Sequence, residues 1–155
     1  MTIEMTKPQA PVEQQALASL EKLLGAPIPD DYKRFVMLQN GGWSHDYRMT
    51  YQDSHFTTPQ TLSIYRWLPV GRLRKQTGIP GVEEVLDHMS DVVPPMMFPF
   101  AADDSGDPIL LALSPLENGS VYFLNSQAPP TKSMSRLADS FTDFINGLTL
   151  ERRRS

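Results

Sequence analysis

Three stretches of this chain with a regular helical spacing of apolar residues are short and end at glycine or proline. Leucines at helical spacing predict a first helix within residues 11–25, with glycine as its stop signal. A second helix is predicted within residues 30–42, where two aspartates favour the first turn and an Asn-Gly-Gly sequence ends it. A third helix is predicted within residues 82–95, because two consecutive prolines forbid its continuation. The chain must therefore fold from short elements.

The remaining periodic segments predict strands and one more helix. Alternation of apolar and polar residues predicts a strand over residues 62–68, and a turn sequence joins two predicted strands at 109–113 and 121–124. Helical spacing predicts a last helix over residues 135–148. Residues 43–60 have no clear period, which predicts a loop or an irregular hairpin. Because no βαβαβ alternation occurs, the order of elements predicts an α+β fold with a mainly antiparallel sheet and helices packed on it.

The length and the amino-acid usage fit one domain. The chain has 155 residues, and single domains usually have about 100–200. Residues 1–10 are predicted as a flexible tail, residues 11–150 as the domain and residues 151–155 as a basic tail. No cysteine is present, which excludes disulfides, zinc–thiolate sites, iron–sulfur clusters and cysteine nucleophiles, and suits a reducing compartment.

No apolar segment suits a secretory signal or a membrane span. The N-terminal residues contain no apolar stretch, and the longest nearly apolar run, residues 92–102, includes three prolines. A membrane-spanning helix would need about 20 residues. We therefore expect a cytoplasmic protein that does not bind membranes. A formal net charge of −4 argues against direct nucleic-acid binding, which requires a basic face.

The charges are unevenly distributed along the chain. Residues 76–131 contain eight acids and no lysine or arginine, whereas the rest of the chain carries all 14 basic residues. One part of the folded surface is therefore expected to be acidic. The simpler alternative is that these acids only keep the surface solvated.

Catalytic patterns are not found. A phosphate-binding loop and a Gly-x-Ser-x-Gly nucleophile elbow are both absent, as is the His-Glu-x-x-His pattern of zinc proteases. A metal site built from His45, Asp46 and His55 is conceivable, but loop histidines of this kind are usually solvated. We expect no cofactor and no metal; a hydrolase that uses His45 or His88 remains the enzymatic alternative.

The densest acidic motif, Asp-Asp-Ser-Gly-Asp at 103–107, predicts a turn. A calcium-binding loop that begins at Asp103 would need glycine at position 108 and glutamate at position 114, but these positions hold proline and serine. In a turn, aspartate side chains would accept local N–H groups, and Gly106 would adopt a positive φ. The two tryptophans differ, since Trp67 lies in an apolar strand and is predicted to be core, whereas Trp43 is either core or a surface anchor.

The order of these motifs resembles the SUKH superfamily. Residues 29–35 (PDDYKRF) followed by NGG at 40–42 are similar to its N-terminal signature. Residues 99–113 (PFAADDSGDPILLAL) are similar to the family's entry into a strand, and residues 121–123 (VYF) to its next strand. Residues 138–145 (ADSFTDFI) are similar to its closing helix. The matches occur in the family's order.

The resemblance implies helices around a bent sheet and a protein that is not an enzyme. Bacterial members are regarded as immunity proteins that bind and neutralise toxins, often nucleases, and related eukaryotic domains act as interaction modules in cell-wall regulation. This sequence departs from the pattern after residue 123, where many members carry Asp-His and this chain reads Leu124-Asn125. Interactions that depend on that pair are in doubt.

We therefore expect an immunity protein whose partner is a cognate toxin, with an interaction module that has no toxin partner as the alternative. A nuclease toxin has a basic surface, so carboxylates are suited to block it. The acids predicted to flank the partner-binding surface are Glu83, Glu84, Asp87, Asp103, Asp104 and Asp107, with Trp43 as an apolar anchor. Asp103 and Asp107 have a structural alternative, which is to hold the turn.

Overall fold

A computed structural model describes residues 3–5, 12–52, 58–71, 80–115, 118–126 and 134–150. The helices are α1 (Gln14–Leu24), α2 (Asp30–Leu38), α3 (Val82–His88) and α4 (Phe141–Asn146). The strands are β1 (Gly42–Tyr51), β2 (Gln60–Trp67), β3 (Met97–Asp103), β4 (Pro108–Ala112), β5 (Val121–Leu124), β6 (Met134–Ala138) and β7 (Thr149–Leu150).

The strands form one curled antiparallel sheet in the order β6-β5-β4-β3-β2-β1-β7. Five of the six neighbouring pairs are consecutive in the chain, whereas β7 returns from the C-terminal region to pair with β1. This architecture confirms the predicted α+β fold with a mainly antiparallel sheet.

Both faces of the central strands are covered. In β4, Ile109 and Leu111 belong to the main core, whereas Leu110 packs with Val93 and Leu124 in a second cluster. Neighbouring residues of a strand point to opposite faces, so the two clusters lie on opposite sides of the sheet. The largest fully buried side chains of the main core are Trp67, Tyr32, Phe98, Phe100, Phe141 and Phe144.

The link between α2 and β1 is fixed to the end of β2. The Asn40 side chain accepts a hydrogen bond from Val70 N at 2.8 Å and donates one to Val70 O at 3.2 Å. Gly41 has a φ of 81°, and a Cβ atom there would lie 2.8 Å from Pro69 N. Gly41 therefore has a left-handed backbone, and the chain crosses too close to Pro69 to admit a side chain.

Two predicted segments fold differently. The helix predicted over residues 135–148 is wrong in its first part, because Met134–Ala138 is strand β6, paired with β5, and only Phe141–Asn146 is helical. Residues 43–60 include most of β1, which pairs with β2 across an irregularity between Trp43 and Tyr47. The irregular-hairpin alternative for that segment is therefore confirmed.

The N-terminal residues that the structure describes are attached to the core. Ile3 is buried, its N–H donates to the Gln39 side chain at 2.9 Å, and the Gln39 amide donates back to Ile3 O. Glu4 N donates to the Tyr47 hydroxyl at 2.8 Å. The predicted boundaries of the domain and its tails stay predictions, since residues 6–11 and 151–155 lie outside the described residues.

Candidate functional site

A small pocket lies between α3 and the turn that joins β3 to β4, and we name it the α3–turn pocket. Its volume is about 210 Å³. The lining includes Val85 and His88 of α3, Met89 directly after it, Arg66 and Ala102 of the sheet, Gly106 in the turn and Pro108 at the start of β4. The two acidic clusters predicted from the sequence are carried by α3 and by this turn. None of the six predicted acids lines the pocket, but the helix and the turn that carry them both contribute to its lining.

The turn is held by its own carboxylates. One Asp103 oxygen accepts hydrogen bonds from Ser105 N at 3.0 Å and from Asp107 N at 2.8 Å. An Asp107 oxygen accepts from Ser126 N at 3.3 Å, which ties the turn to the end of β5. Gly106 has a φ of 90°. The predicted turn is confirmed, and both buried aspartates have the structural role that the sequence left open.

Burial raises the pKa of the Asp103 carboxyl above its ordinary value of 3.8. The negative charges of Asp107 and Asp104 act in the same direction, whereas the hydrogen bonds from Asp107 N and Ser105 N act against the rise. The turn therefore concentrates negative charge in a partly desolvated place. Stability at this site depends on pH for that reason.

Glu83 also faces inward. It is 7% exposed, and its two oxygens lie 3.2 Å and 3.0 Å from Gly71 N, which donates to the carboxylate. This contact ties the first turn of α3 to the residue that follows β2 by four positions. Glu83 is therefore an anchor of α3 and does not present its charge at the surface.

The other three predicted acids lie at the surface. Asp87 and Asp104 are exposed, and Glu84 is partly exposed. Glu84 and Asp87 are three residues apart in α3, so they lie on the same side of the helix, next to the stripe that lines the pocket. Their binding to a partner stays a prediction, now restricted to carboxylates that solvent can reach.

Arg66 is the cationic side chain of the α3–turn pocket. It lies in β2 opposite Ala102 of β3, and its Nε atom is buried without a hydrogen-bond partner. A Cβ atom at Gly106 would lie 3.3 Å from the Arg66 Nη2, so the guanidinium rests against the turn. A buried N–H donor without an acceptor costs about 1–3 kcal/mol relative to one that is paired.

Trp43 lies at a different place. Its ring is partly buried and contacts Tyr65 edge-on with centroids 5.2 Å apart, and His45 contacts the same tyrosine at 5.2 Å. Trp43 lines a second concavity with Met5 and Leu150, apart from the α3–turn pocket. Trp43 does not line the α3–turn pocket, although it pairs across the sheet with Arg66, which does. Trp67 is buried in the core as predicted.

A profile of the SMI1 / KNR4 family (SUKH-1) matches residues 11–147. The chain belongs to this family. A comparison with curated proteins finds no match. SUKH proteins are generally not catalytic, and the family is consistent with immunity or regulatory roles. The resemblance carried by the ordered motifs of the sequence is confirmed.

Two of the three histidines of this SUKH-1 domain lie among the described residues. In that part of the chain, no three histidine, aspartate or glutamate side chains are arranged so that they could hold a metal ion. His45 contacts Tyr65 and His88 lines the α3–turn pocket, while His55 lies outside the described residues. In the same part of the chain, no helix is long and apolar enough to cross a membrane. The basic residues Arg72, Arg74 and Lys75 also lie outside the described residues.

A second groove of this SUKH-1 domain lies between α2 and α4. Its volume is about 420 Å³, and its lining includes Phe35, Phe141 and Ile145 with Leu38 at the edge. Leu38, at the end of α2, is 84% exposed. The Asp31 carboxylate, which also lines the groove, already accepts hydrogen bonds from Thr142 N at 3.0 Å and from the Thr142 hydroxyl at 2.9 Å.

Sequence reasoning did not find Arg66 in the candidate site. The residue stands between Tyr65 and Trp67 in an alternating strand, where a charged residue is normally on the solvated face. Here α3 covers that part of the sheet, so the arginine lines a pocket. One signal in the sequence could have indicated this. The apolar residues on one side of α3 must pack against the sheet, so the face that α3 covers is not solvated.

Proposed function

We propose that this SUKH-1 domain is an immunity protein, which binds a cognate bacterial toxin and blocks the surface that the toxin uses on its substrate. The observation that carries the proposal is the shared border of α3 and the β3–β4 turn at one pocket. Exposed carboxylates from two separate elements then face the same partner. Family membership supports a binding role, because the family is consistent with immunity or regulation.

Charge favours a basic partner. Glu84, Asp87 and Asp104 lie in the stretch of the sequence that carries eight acids and no base. A nuclease holds phosphates with lysine and arginine, so the same cations would attract these carboxylates. Electrostatic complementarity of this kind mainly accelerates association and excludes partners of the wrong charge.

The test is coexpression in a bacterial host with the product of each neighbouring gene. We expect one neighbouring product to stop growth, and this protein to restore growth and to form a stable complex with that product when both are purified. Growth arrest that this protein does not relieve, or a complex that does not form, would contradict the proposal. Restored growth without a complex would also contradict it, because the proposed mechanism is direct binding.

An interaction module without a toxin partner is the alternative, and the α2–α4 groove with its exposed Leu38 is the observation that favours it. Binding of a non-toxic partner at this groove, unaffected by substitution of Asp87 and Asp104, would support that alternative.

A further inference from the structure

We propose that the α3–turn pocket binds a small carboxylate with an apolar body, and that the two terminal nitrogens of the Arg66 guanidinium hold the carboxylate end-on. The inference goes beyond the proposed function and does not rest on it, because the ligand is a small molecule and not the protein partner. It assigns a role to an arginine that the fold leaves without a polar partner.

Arg66 forms no polar contact in the structure. Among the described residues, none accepts a hydrogen bond from its guanidinium or forms an ion pair with it. Of the guanidinium nitrogens, only Nε is both buried and unpaired, and the residue as a whole is partly exposed. The Nη atoms are therefore the part of the guanidinium that another molecule can reach. Charged side chains that are largely removed from water are normally paired, so this cation lacks a counterpart.

The Nη end of the guanidinium lies at the pocket. Arg66 lines the pocket together with Gly106, and a Cβ atom at Gly106 would lie 3.3 Å from the Arg66 Nη2. Because Gly106 has no side chain, no side chain of this residue covers the nitrogen. The two parallel N–H groups at the Nη end match the two oxygens of a planar carboxylate, and such charge-assisted pairs are stronger than neutral hydrogen bonds.

The rest of the lining is mostly apolar, and the pocket is small. Leu68, Val85, Met89 and Pro108 supply apolar walls. The volume is about 210 Å³, whereas pockets for drug-sized ligands are usually about 300–1,000 Å³. A compact aliphatic carboxylate fits both parts of the lining, whereas phosphate or sulfate would leave the apolar walls without a contact.

The charges that face the pocket favour an anion. Arg66 and His88 are the ionisable residues of its lining, and the exposed imidazole of His88 supplies a further N–H donor. None of the acids on α3 or on the turn belongs to the lining. Asp103 and Asp107 direct carboxylate oxygens to backbone amides, and solvent screens the exposed Asp104.

The experiment is a titration of the isotope-labelled full chain with three small molecules, followed by nuclear magnetic resonance. Isovalerate carries a carboxylate and a branched apolar body, isovaleramide replaces the carboxylate with a neutral amide, and acetate lacks the apolar body. Isovalerate is expected to bind with a Kd of about 1 mM, as suits a ligand of this size. It should shift the Arg66 Nε–H signal and the amide signals of Val85, Met89 and Gly106, and both controls should bind at least about tenfold more weakly.

A variant pair tests the role of Arg66. Arg66→Gln removes the charge and the paired N–H groups, so isovalerate should bind at least about tenfold more weakly. Arg34→Gln, at an exposed arginine of α2 outside the pocket, removes the same charge and should bind isovalerate as the wild type does. If Arg66→Gln does not fold, the comparison of isovalerate with isovaleramide on the wild type decides the question.

Preferential binding of isovalerate at the pocket, lost in Arg66→Gln and retained in Arg34→Gln, would support the inference. Equal binding of isovaleramide or acetate, shifts that map away from the pocket, equal affinities of the two variants or no binding of isovalerate at about 10 mM would each overturn it. None of these results depends on the toxin. Coexpression can therefore fail to restore growth while the pocket binds isovalerate, and growth can be restored when the pocket binds nothing.

Discussion

Gly41 is a position at which a single methyl group would collide with the backbone. Its φ is 81°, and a Cβ atom would lie 2.8 Å from Pro69 N and 2.9 Å from the Pro69 Cβ and Cδ atoms. Gly25 has a similar φ of 75°, but a Cβ atom there would meet nothing within 4 Å. Substitutions at the two glycines therefore separate two contributions to the free energy of unfolding. Gly25 reports the cost of the left-handed backbone alone, and Gly41 adds the contact with Pro69.

We expect Gly25→Ala to lower the free energy of unfolding by about 1–2 kcal/mol, the cost of a left-handed backbone at a residue with a side chain. Gly41→Ala should lower it by about 2–5 kcal/mol, because overpacking against Pro69 adds to the same cost. Urea denaturation of both variants measures the difference. Equal losses would show that the link between α2 and β1 moves away from Pro69 without resistance.

Asp103 should give the stability of the protein an unusual pH dependence. Because burial raises its folded pKa above 3.8, the folded protein holds this proton more tightly than the unfolded chain does. The resulting stabilisation is complete below the unfolded pKa and is lost as the pH rises through the folded pKa. Asp103→Asn keeps an acceptor for Ser105 N and Asp107 N but does not titrate.

The free energy of unfolding of the wild type should therefore fall relative to that of Asp103→Asn as the pH rises from 3.8 through the raised folded pKa. Denaturation of both proteins at a series of pH values measures this difference. Asp103→Ala is the control for the hydrogen bonds and should lose about 1–3 kcal/mol throughout, because two amides lose their acceptor. A difference between wild type and Asn variant that stays constant with pH would contradict the account.

At the scale of elements, Ser140 marks the border between β6 and α4. Its hydroxyl accepts a hydrogen bond from Asp143 N at 3.0 Å, so it caps the helix. Ser140→Ala should lower the melting temperature and cost about 1 kcal/mol, while Ser140→Asp should retain most of the cap. Ser90→Ala, at an exposed serine outside the helices, is the control. An Ala variant at position 140 as stable as the wild type would show that the cap contributes nothing.

This border also shows which parts of the fold the sequence predicts. The helical spacing of apolar residues after 135 is compatible with one long helix, and only pairing with β5 makes Met134–Ala138 a strand. Pairing between segments is a tertiary effect that local patterns do not contain. The capping sequence at Ser140 and Asp143 was nevertheless present as a local signal for a later helix start.

β3 was hidden from local patterns for another reason. Pro99 lies in the middle of this central strand, where proline is normally excluded because it cannot donate a hydrogen bond. The register with β4 shifts between Pro99 and Ala101, and this irregularity accommodates the proline. The local pattern therefore predicted strands only at 62–68, 109–113 and 121–124, and β3 was missed.

At the scale of the whole molecule, the uneven charge of the sequence is only partly a property of the surface. The pattern located two acidic clusters, and the fold brings the helix and the turn that carry them to the lining of one pocket. It did not show that Glu83, Asp103 and Asp107 turn inward to bond backbone amides, because burial is set by the packing of α3 and of the turn. A count of acids therefore overstates the charge that a partner meets.

Association kinetics with the purified toxin test the central claim, that exposed carboxylates at the α3–turn pocket bind a basic partner. The variant pair Asp87→Asn/Asp104→Asn removes two exposed charges at the pocket. The matched pair Asp30→Asn/Asp143→Asn removes two exposed charges in the first turns of α2 and α4. Both pairs change the net charge equally, so only the position of the charge differs.

We predict that the pocket pair slows association about tenfold at low salt, and that the difference shrinks as salt screens the charges. The matched pair should associate at nearly the wild-type rate. Equal slowing by both pairs would show a general charge effect without a defined surface. Wild-type association by the pocket pair at low salt would contradict the account directly.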